Sequence, residues 1–182
     1  MSIATGKGDY GSTNLFTGEK ISKADLKVET YGTGDELISF LGWLKHDAKY
    51  FADFIEWVQI KLYKLNAVLA SSAETKKNEC VDNFEEDKQY SLDFFLSELE
   101  KEYGRLDGFI IPSETPPSSK ADICRSICRR FERRVISLSA HEKIDKEILI
   151  FINRLSDVLF MMARVMAKRE GGTTYGFKRT DT

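Results

Sequence analysis

Residues 145–169 read DKEILIFINRLSDVLFMMARVMAKR. Ile148, Leu149, Phe151, Ile152, Leu155, Val158, Leu159, Met162, Val165 and Met166 cover most of a helical surface, with no glycine or proline between them. A helix that is apolar around most of its circumference must be surrounded, so this segment is expected to be the central member of a helical bundle. The partners follow on either side. Upstream, a helix over about Ser119–Ala140 is anchored by Ile123, Ile127, Phe131 and Val135. Before it, IIPSETPPSS holds all three prolines of the chain and reads as a stiff connection. Leu92, Phe95, Leu96, Leu99 and Tyr103 mark a helix ending near Gly104, and residues 71–90 are polar and aperiodic, a loop. Tyr50 through Leu69 keeps helical spacing for five turns, and Leu37, Phe40, Leu41 and Leu44 form the stripe of a first helix, with Thr33 as its cap. Residues 1–33 are glycine-, serine- and threonine-rich. They read as an arm with one short extended stretch at Lys27–Thr30, and residues 171–182 read as a polar tail. The fold expected is all-α, a five-helix bundle in one domain over 1–182, with the bundle proper at 34–170.

Composition narrows the class. The chain has 182 residues, 42% hydrophobic and 31% charged, which suits one packed domain. Lys+Arg (27) against Asp+Glu (29) gives a net charge of −2, so no overall basic excess points to nucleic acid. No apolar run approaches ~20 residues and the N-terminus lacks the pattern of a signal peptide. Three cysteines (Cys80, Cys124, Cys128) make no disulfide framework. The expectation is a soluble, cytoplasmic protein.

Three constellations carry chemistry. In the arm, Thr5-Gly6-Lys7-Gly8-Asp9 with Gly11, Thr13 and Asn14 combines freely turning backbone N–H groups with a lysine and hydroxyls, a composition that suits a polyphosphate. It is no Walker A loop, since Gly-Lys-Ser/Thr is missing. In the fourth helix, Arg125, Arg129 and Arg133 recur every four residues on one face. Arg130 and Arg134 form a neighbouring row, and Glu132 is spaced to pair with Arg129. Such a stripe can clamp a triphosphate bidentately. In the fifth helix, Asn153, Arg154 and Asp157 interrupt the apolar surface and are expected to be buried and paired. Two histidines and no Glu-x-x-His pair exclude a di-iron bundle, and Cys124 and Cys128 read as buried small hydrophobes. No metal-binding residues are assigned.

With TGKGDYGST and FTGEKISK at the start, then VETYGTGDEL, FIIP, CRSICRRFERRV and FINRLSDVLFMMAR, the chain resembles the ATP:cob(I)alamin adenosyltransferases of the propanediol-utilisation type over nearly its whole length. The resemblance implies a five-helix bundle assembled as a homotrimer, with active sites between subunits. It implies an ATP site of Thr5, Gly6, Lys7, Gly8, Thr13, Asn14, Lys23, Arg129, Arg130, Glu132, Arg133 and Asn153. It also implies an Asp35–Arg125 salt bridge across the subunit boundary, and Phe109 as the aromatic that displaces the corrinoid's lower axial ligand. ATP, Mg²⁺ and cobalamin are the implied ligands, and a Co(II) reductase and an adenosylcobalamin-dependent acceptor enzyme the implied partners.

The implied reaction moves the 5′-deoxyadenosyl group of ATP to cobalt. Because cob(I)alamin is itself the nucleophile, no activated serine or cysteine is needed, in keeping with their absence. The chain departs from the family pattern at three places. Gly6-Lys7 replaces a lysine directly after the threonine, Ser113-Glu114 replaces a glycine pair after the proline, and Asp122 replaces a histidine. The last two motivate a second reading, a weakened relative that binds ATP or a corrinoid as a carrier or regulatory module.

Overall fold

The computed structural model describes residues 6, 8–71, 91–106, 108–112, 114–172 and 176–177. The expected loop over 71–90 falls almost wholly outside them, as do Cys80 and Ser113. Five helices form the body: α1 (Leu26–Asp47), α2 (Ala52–Leu69), α3 (Leu92–Tyr103), α4 (Pro116–Ser139) and α5 (Lys146–Arg169). A 3-10 turn at Lys49–Phe51 joins α1 to α2. Two small antiparallel sheets accompany them, β1 (Ser12–Asn14) with β2 (Lys20–Ser22), and β3 (Phe109–Ile110) with β4 (Gly176–Phe177). Among the described residues no helix is long and apolar enough to cross a membrane.

The expectation for α5 holds. Every residue from Met161 to Ala167 is buried, so the second half of this helix is enclosed on all sides. Around it, α4 packs on α5 and on α1, α2 packs on α1, and α3 lies along α5. Lys27 on the first turn of α1 bonds Glu142 beyond the end of α4 at 2.7 Å, while Lys120 near the start of α4 meets Asp47 at the end of α1 at 2.5 Å. Those two contacts make α1 and α4 antiparallel. Asp93 with Arg154 and Glu102 with Arg169 show that α3 and α5 run the same way. Phe95 of α3 stacks on Phe54 of α2, with centroids 3.7 Å apart, and closes the ring of helices.

The boundary of the arm is corrected. Helix α1 starts at Leu26, so Lys27–Thr30 is helical rather than extended, and the cap is Asp25, whose carboxylate accepts from the Lys27 N–H at 2.8 Å, rather than Thr33. Thr30 and Thr33 turn their hydroxyls back onto the carbonyls of Leu26 and Glu29, which lets them sit inside a helix. Gly34 explains the glycine that disguised this helix. A Cβ there would lie 2.2 Å from Oδ1 of the buried Asn66, so only glycine lets α2 come this close.

Two further boundaries move. Helix α4 starts at Pro116 rather than Ser119, capped by a reciprocal Thr115–Ser118 box, and both prolines occupy the first turn, where a missing N–H costs nothing. The tail is no free end at 176–177, which pair with Phe109 and Ile110.

Candidate functional site

The arm folds as a hairpin. Thr13 and Asn14 lie on β1 opposite Ile21 and Lys20, and the hairpin tip is held to the bundle by the Phe16 N–H, which donates to the Ala70 carbonyl at the end of α2 at 3.0 Å. The Lys23 N–H donates to the Gly11 carbonyl at 2.9 Å, bringing the strand exit back to the glycine loop. The Lys23 ammonium rests over Gly8, 3.1 Å from where a Cβ would stand. Gly8 and Lys23, separated in sequence, thus come together, and the Asp9 N–H donates to the Gly6 carbonyl at 3.3 Å in the same turn. Thr5 and Lys7 lie outside the described residues.

On α4 the two arginine rows separate. Arg130 ion-pairs with Glu36 of α1, and Arg134 reaches Glu29 of α1 at 3.2 Å. Arg125 and Arg129 face the opposite side, where, with Leu96, Leu106, Arg154 and Phe160, they line a cleft of about 310 Å³ between α3, α4 and α5. Arg129 and Arg133 are exposed. Glu132 does not pair with Arg129; it accepts from the Asn153 amide at 2.9 Å. Glu132 and Asn153, assigned to one site by resemblance, therefore touch. A second cleft, of about 460 Å³, lies between α1 and α4 and is lined by Glu36, Phe40, Pro112, Asp122, Ile123 and Arg130.

The α5 polar group is not buried as expected. Asn153 is exposed and Arg154 and Asp157 are half-exposed, all on the solvent side of α5. Arg154 meets Asp93 of α3 at 2.5 Å and Asp157 at 3.4 Å. Phe109 is 73% exposed, so its ring is no part of the core. Asp35 is exposed on α1, while Arg125 lies 3.7 Å from Asp122 and 5.8 Å from the Phe160 ring on the α5 side. The two do not meet within the chain.

Arg164 escaped sequence reasoning. Among the described residues it is the largest fully buried side chain, bonded to Asp122, with Glu114 3.6 Å away and the Phe160 ring at 5.3 Å. A cation in the run FMMARVMA was the available signal, since a charge on an enclosed helix needs a partner. Burial pushes the Cys124 thiol up to about 12 and the Cys128 thiol higher still, so both remain protonated and unreactive. Among the described residues no cluster of His, Cys, Asp and Glu could hold a metal ion.

Fold and site together define a class: a helical bundle that gathers cations at a glycine loop and along one helix, with an exposed aromatic beyond them. The profile of the cobalamin adenosyltransferase family matches residues 3–166, and the chain belongs to that family. It is 33% identical to corrinoid adenosyltransferase MMAB of Bos taurus over 98% of this chain and 77% of that one. It is 36% identical to a corrinoid adenosyltransferase of Citrobacter freundii over 90% of this chain and 93% of that one. Its backbone follows a variant of the PduO-type ATP:corrinoid adenosyltransferase from Lactobacillus reuteri, complexed with cobalamin and ATP. That likeness has a TM-score of 0.90 at 28% identity and covers 98% of this chain and 100% of that one.

Proposed function

We infer that the protein transfers the 5′-deoxyadenosyl group of ATP to the cobalt of a reduced corrinoid and releases triphosphate. The observation that carries this reading is the row Arg129–Arg133. In a member of this family, these arginines are exposed, with no ion pair among the described residues, next to the joined Glu132 and Asn153. In the reaction the C5′–O bond of ATP breaks and a cobalt–C5′ bond forms. Both electrons of the new bond come from Co(I), and the electron pair of the broken bond leaves on the triphosphate.

The chain's own work is to orient and to stabilise charge. Lys23 and the backbone of Gly6 and Gly8, with Thr5, Lys7, Thr13 and Asn14, hold the phosphates. Arg129, Arg133 and Arg130, the last after exchanging Glu36 for phosphate, meet the charge that grows on the leaving group. Glu132 and Asn153 fix the nucleoside. Mg²⁺ bound to the triphosphate would screen its charge alongside Lys23 and the arginines. Phe109 excludes the lower axial base from cobalt, which makes Co(II) easier to reduce.

The site is completed by a second copy. The arm joins the start of α1, whereas Phe109 and Pro112 approach the start of α4, which lies beside the end of α1. Asp47 lies 20 residues after Lys27 on α1, so at a rise of about 1.5 Å per residue these ends stand about 30 Å apart. Asp35 and Arg125 likewise face different ways in one chain. A homotrimer in which Asp35 of one subunit pairs with Arg125 of the next brings the two halves together. A cytoplasmic setting, a reductase that supplies Co(I) and an adenosylcobalamin-dependent acceptor belong to the same reading.

The test mixes prereduced cobalamin, ATP and the protein and follows the absorption of the cobalt–carbon bond, with triphosphate released one to one. Tight binding of both ligands without that spectral change would select the carrier reading instead.

A further inference from the structure

Four charged side chains run from the Phe109 segment to the α4 arginine row, and three of them are almost wholly buried. The Glu114 carboxylate is 1% exposed and lies 3.6 Å from Nη1 of Arg164, itself 0% exposed. Arg164 bonds Oδ2 of Asp122, and Oδ1 of the same carboxylate lies 3.7 Å from Nε of Arg125. Arg125 and Arg164 also share the Phe160 ring, at 5.8 Å and 5.3 Å. Two basic and two acidic side chains thus meet in one unit.

We propose that Glu114, Arg164 and Asp122 form a buried positioning unit that sets Arg125 and the Phe109–Pro112 segment at a fixed distance from each other. The inference rests on the adenosyltransferase reading for what the two ends do, and on geometry alone for the link between them. None of the three touches the reacting atoms; each acts through a neighbour.

Three observations favour positioning over plain stabilisation. A buried ion pair gains little stability over apolar residues of the same volume, so Arg164 in the middle of an apolar helix needs another reason. The unit's two ends also fall on the two segments that must cooperate, Arg125 on α4 and the strand carrying Phe109. Finally, the Glu114 end is fixed from both sides. The Thr115 methyl lies 2.9 Å, and the Glu114 Cβ 3.3 Å, from where a Cβ would stand on Gly172. Gly172 stands four residues before β4 in sequence, and β4 pairs with Phe109 and Ile110. Glu114 therefore ties the Phe109 sheet down to Arg164. The departures at Glu114 and Asp122 are one feature, the two carboxylates of one arginine.

The experiment compares Glu114→Gln and Arg164→Lys with the unaltered protein. Glutamine keeps the shape and loses the charge. Lysine keeps the charge but, as a point donor, does not span two carboxylates. Cob(II)alamin binding in the presence of ATP is followed by absorption, ATP binding by calorimetry, and folding by thermal melts. Both variants are expected to weaken cob(II)alamin binding about tenfold and to lower the four-coordinate fraction, because a small displacement of a positioned group is enough to produce losses of that order. ATP affinity should stay within about twofold for Glu114→Gln, a split that lost stability alone does not produce. If Arg164→Lys does not fold, Glu114→Gln decides alone, since its isosteric change leaves the Asp122–Arg164 bond in place. Wild-type cob(II)alamin affinity and spectrum in a folded Glu114→Gln would overturn the proposal. An unaltered protein that forms no cobalt–carbon bond would overturn the adenosyltransferase reading instead, and the binding measurements would still decide the link.

Discussion

Arg129 and Arg130 are neighbours in sequence and opposites in circumstance. One step along a helix turns the side chain by about 100°, and that turn carries Arg130, with Arg134, onto the α1 side. There Glu36 and Glu29 take them up in ion pairs. Arg129 lines the cleft between α3, α4 and α5, and Arg133 is exposed. The same residue type on the same helix thus fastens two helices on one face and stands available to a ligand on the other. Counting arginines establishes the charge of the helix; only the neighbours decide what each one is for.

The largest expected effect breaks the comparison at its functional side. Arg129→Ala should slow adenosyl transfer from prereduced cobalamin about 10²–10³-fold, the loss typical of removing one donor to a developing charge, about 2.7–4 kcal/mol. The melting temperature should stay near that of the unaltered protein, since alanine is the best helix former and Arg129 has no ion pair among the described residues. Unchanged steady-state kinetics would mean that the open row is merely solvated.

Phe109 sharpens the same contrast on the corrinoid side. Its ring is 73% exposed, so Phe109→Ala should shift stability by no more than about 0.5 kcal/mol, as surface substitutions do. Activity from cob(II)alamin plus reductant should nevertheless disappear, while prereduced Co(I) retains much of it. A large drop in melting temperature would instead assign the ring a packing role.

The smallest effect belongs to the fastened row. Arg134→Gln should cost about 0.2–1 kcal/mol in urea unfolding, the range of half-exposed pairs, with adenosyl transfer unaltered. Arg130→Gln decides where the boundary between the rows falls. A stability loss of the same size with a clear rise in the KM for ATP would show that Arg130 exchanges Glu36 for phosphate.

Much of this molecule is determined by sequence periodicity, and the reason is simple. An apolar stripe recurring every three to four residues can be buried only on one face of a helix, so α2, α3, α4 and α5 could be read within a few residues of their ends. The glycine-rich composition of the arm and the spacing of the arginine stripe could be read for a similar reason, since both are carried by residue type at short spacing. Helix α1 was read short because Gly32, Gly34 and the two threonines Thr30 and Thr33 lower local helix propensity. The Asn66 side chain that demands Gly34, and the carbonyls that accept from the threonines, become visible only once the chain is folded. Tertiary packing also decided the fate of each polar group on α5. Asn153 turns outward to Glu132, while Arg164, with no acidic residue within five positions of it, is enclosed and finds Asp122, 42 residues away. A charge inside a bundle is tolerated only beside its counter-charge, and that counter-charge comes from a different helix, which no local pattern records.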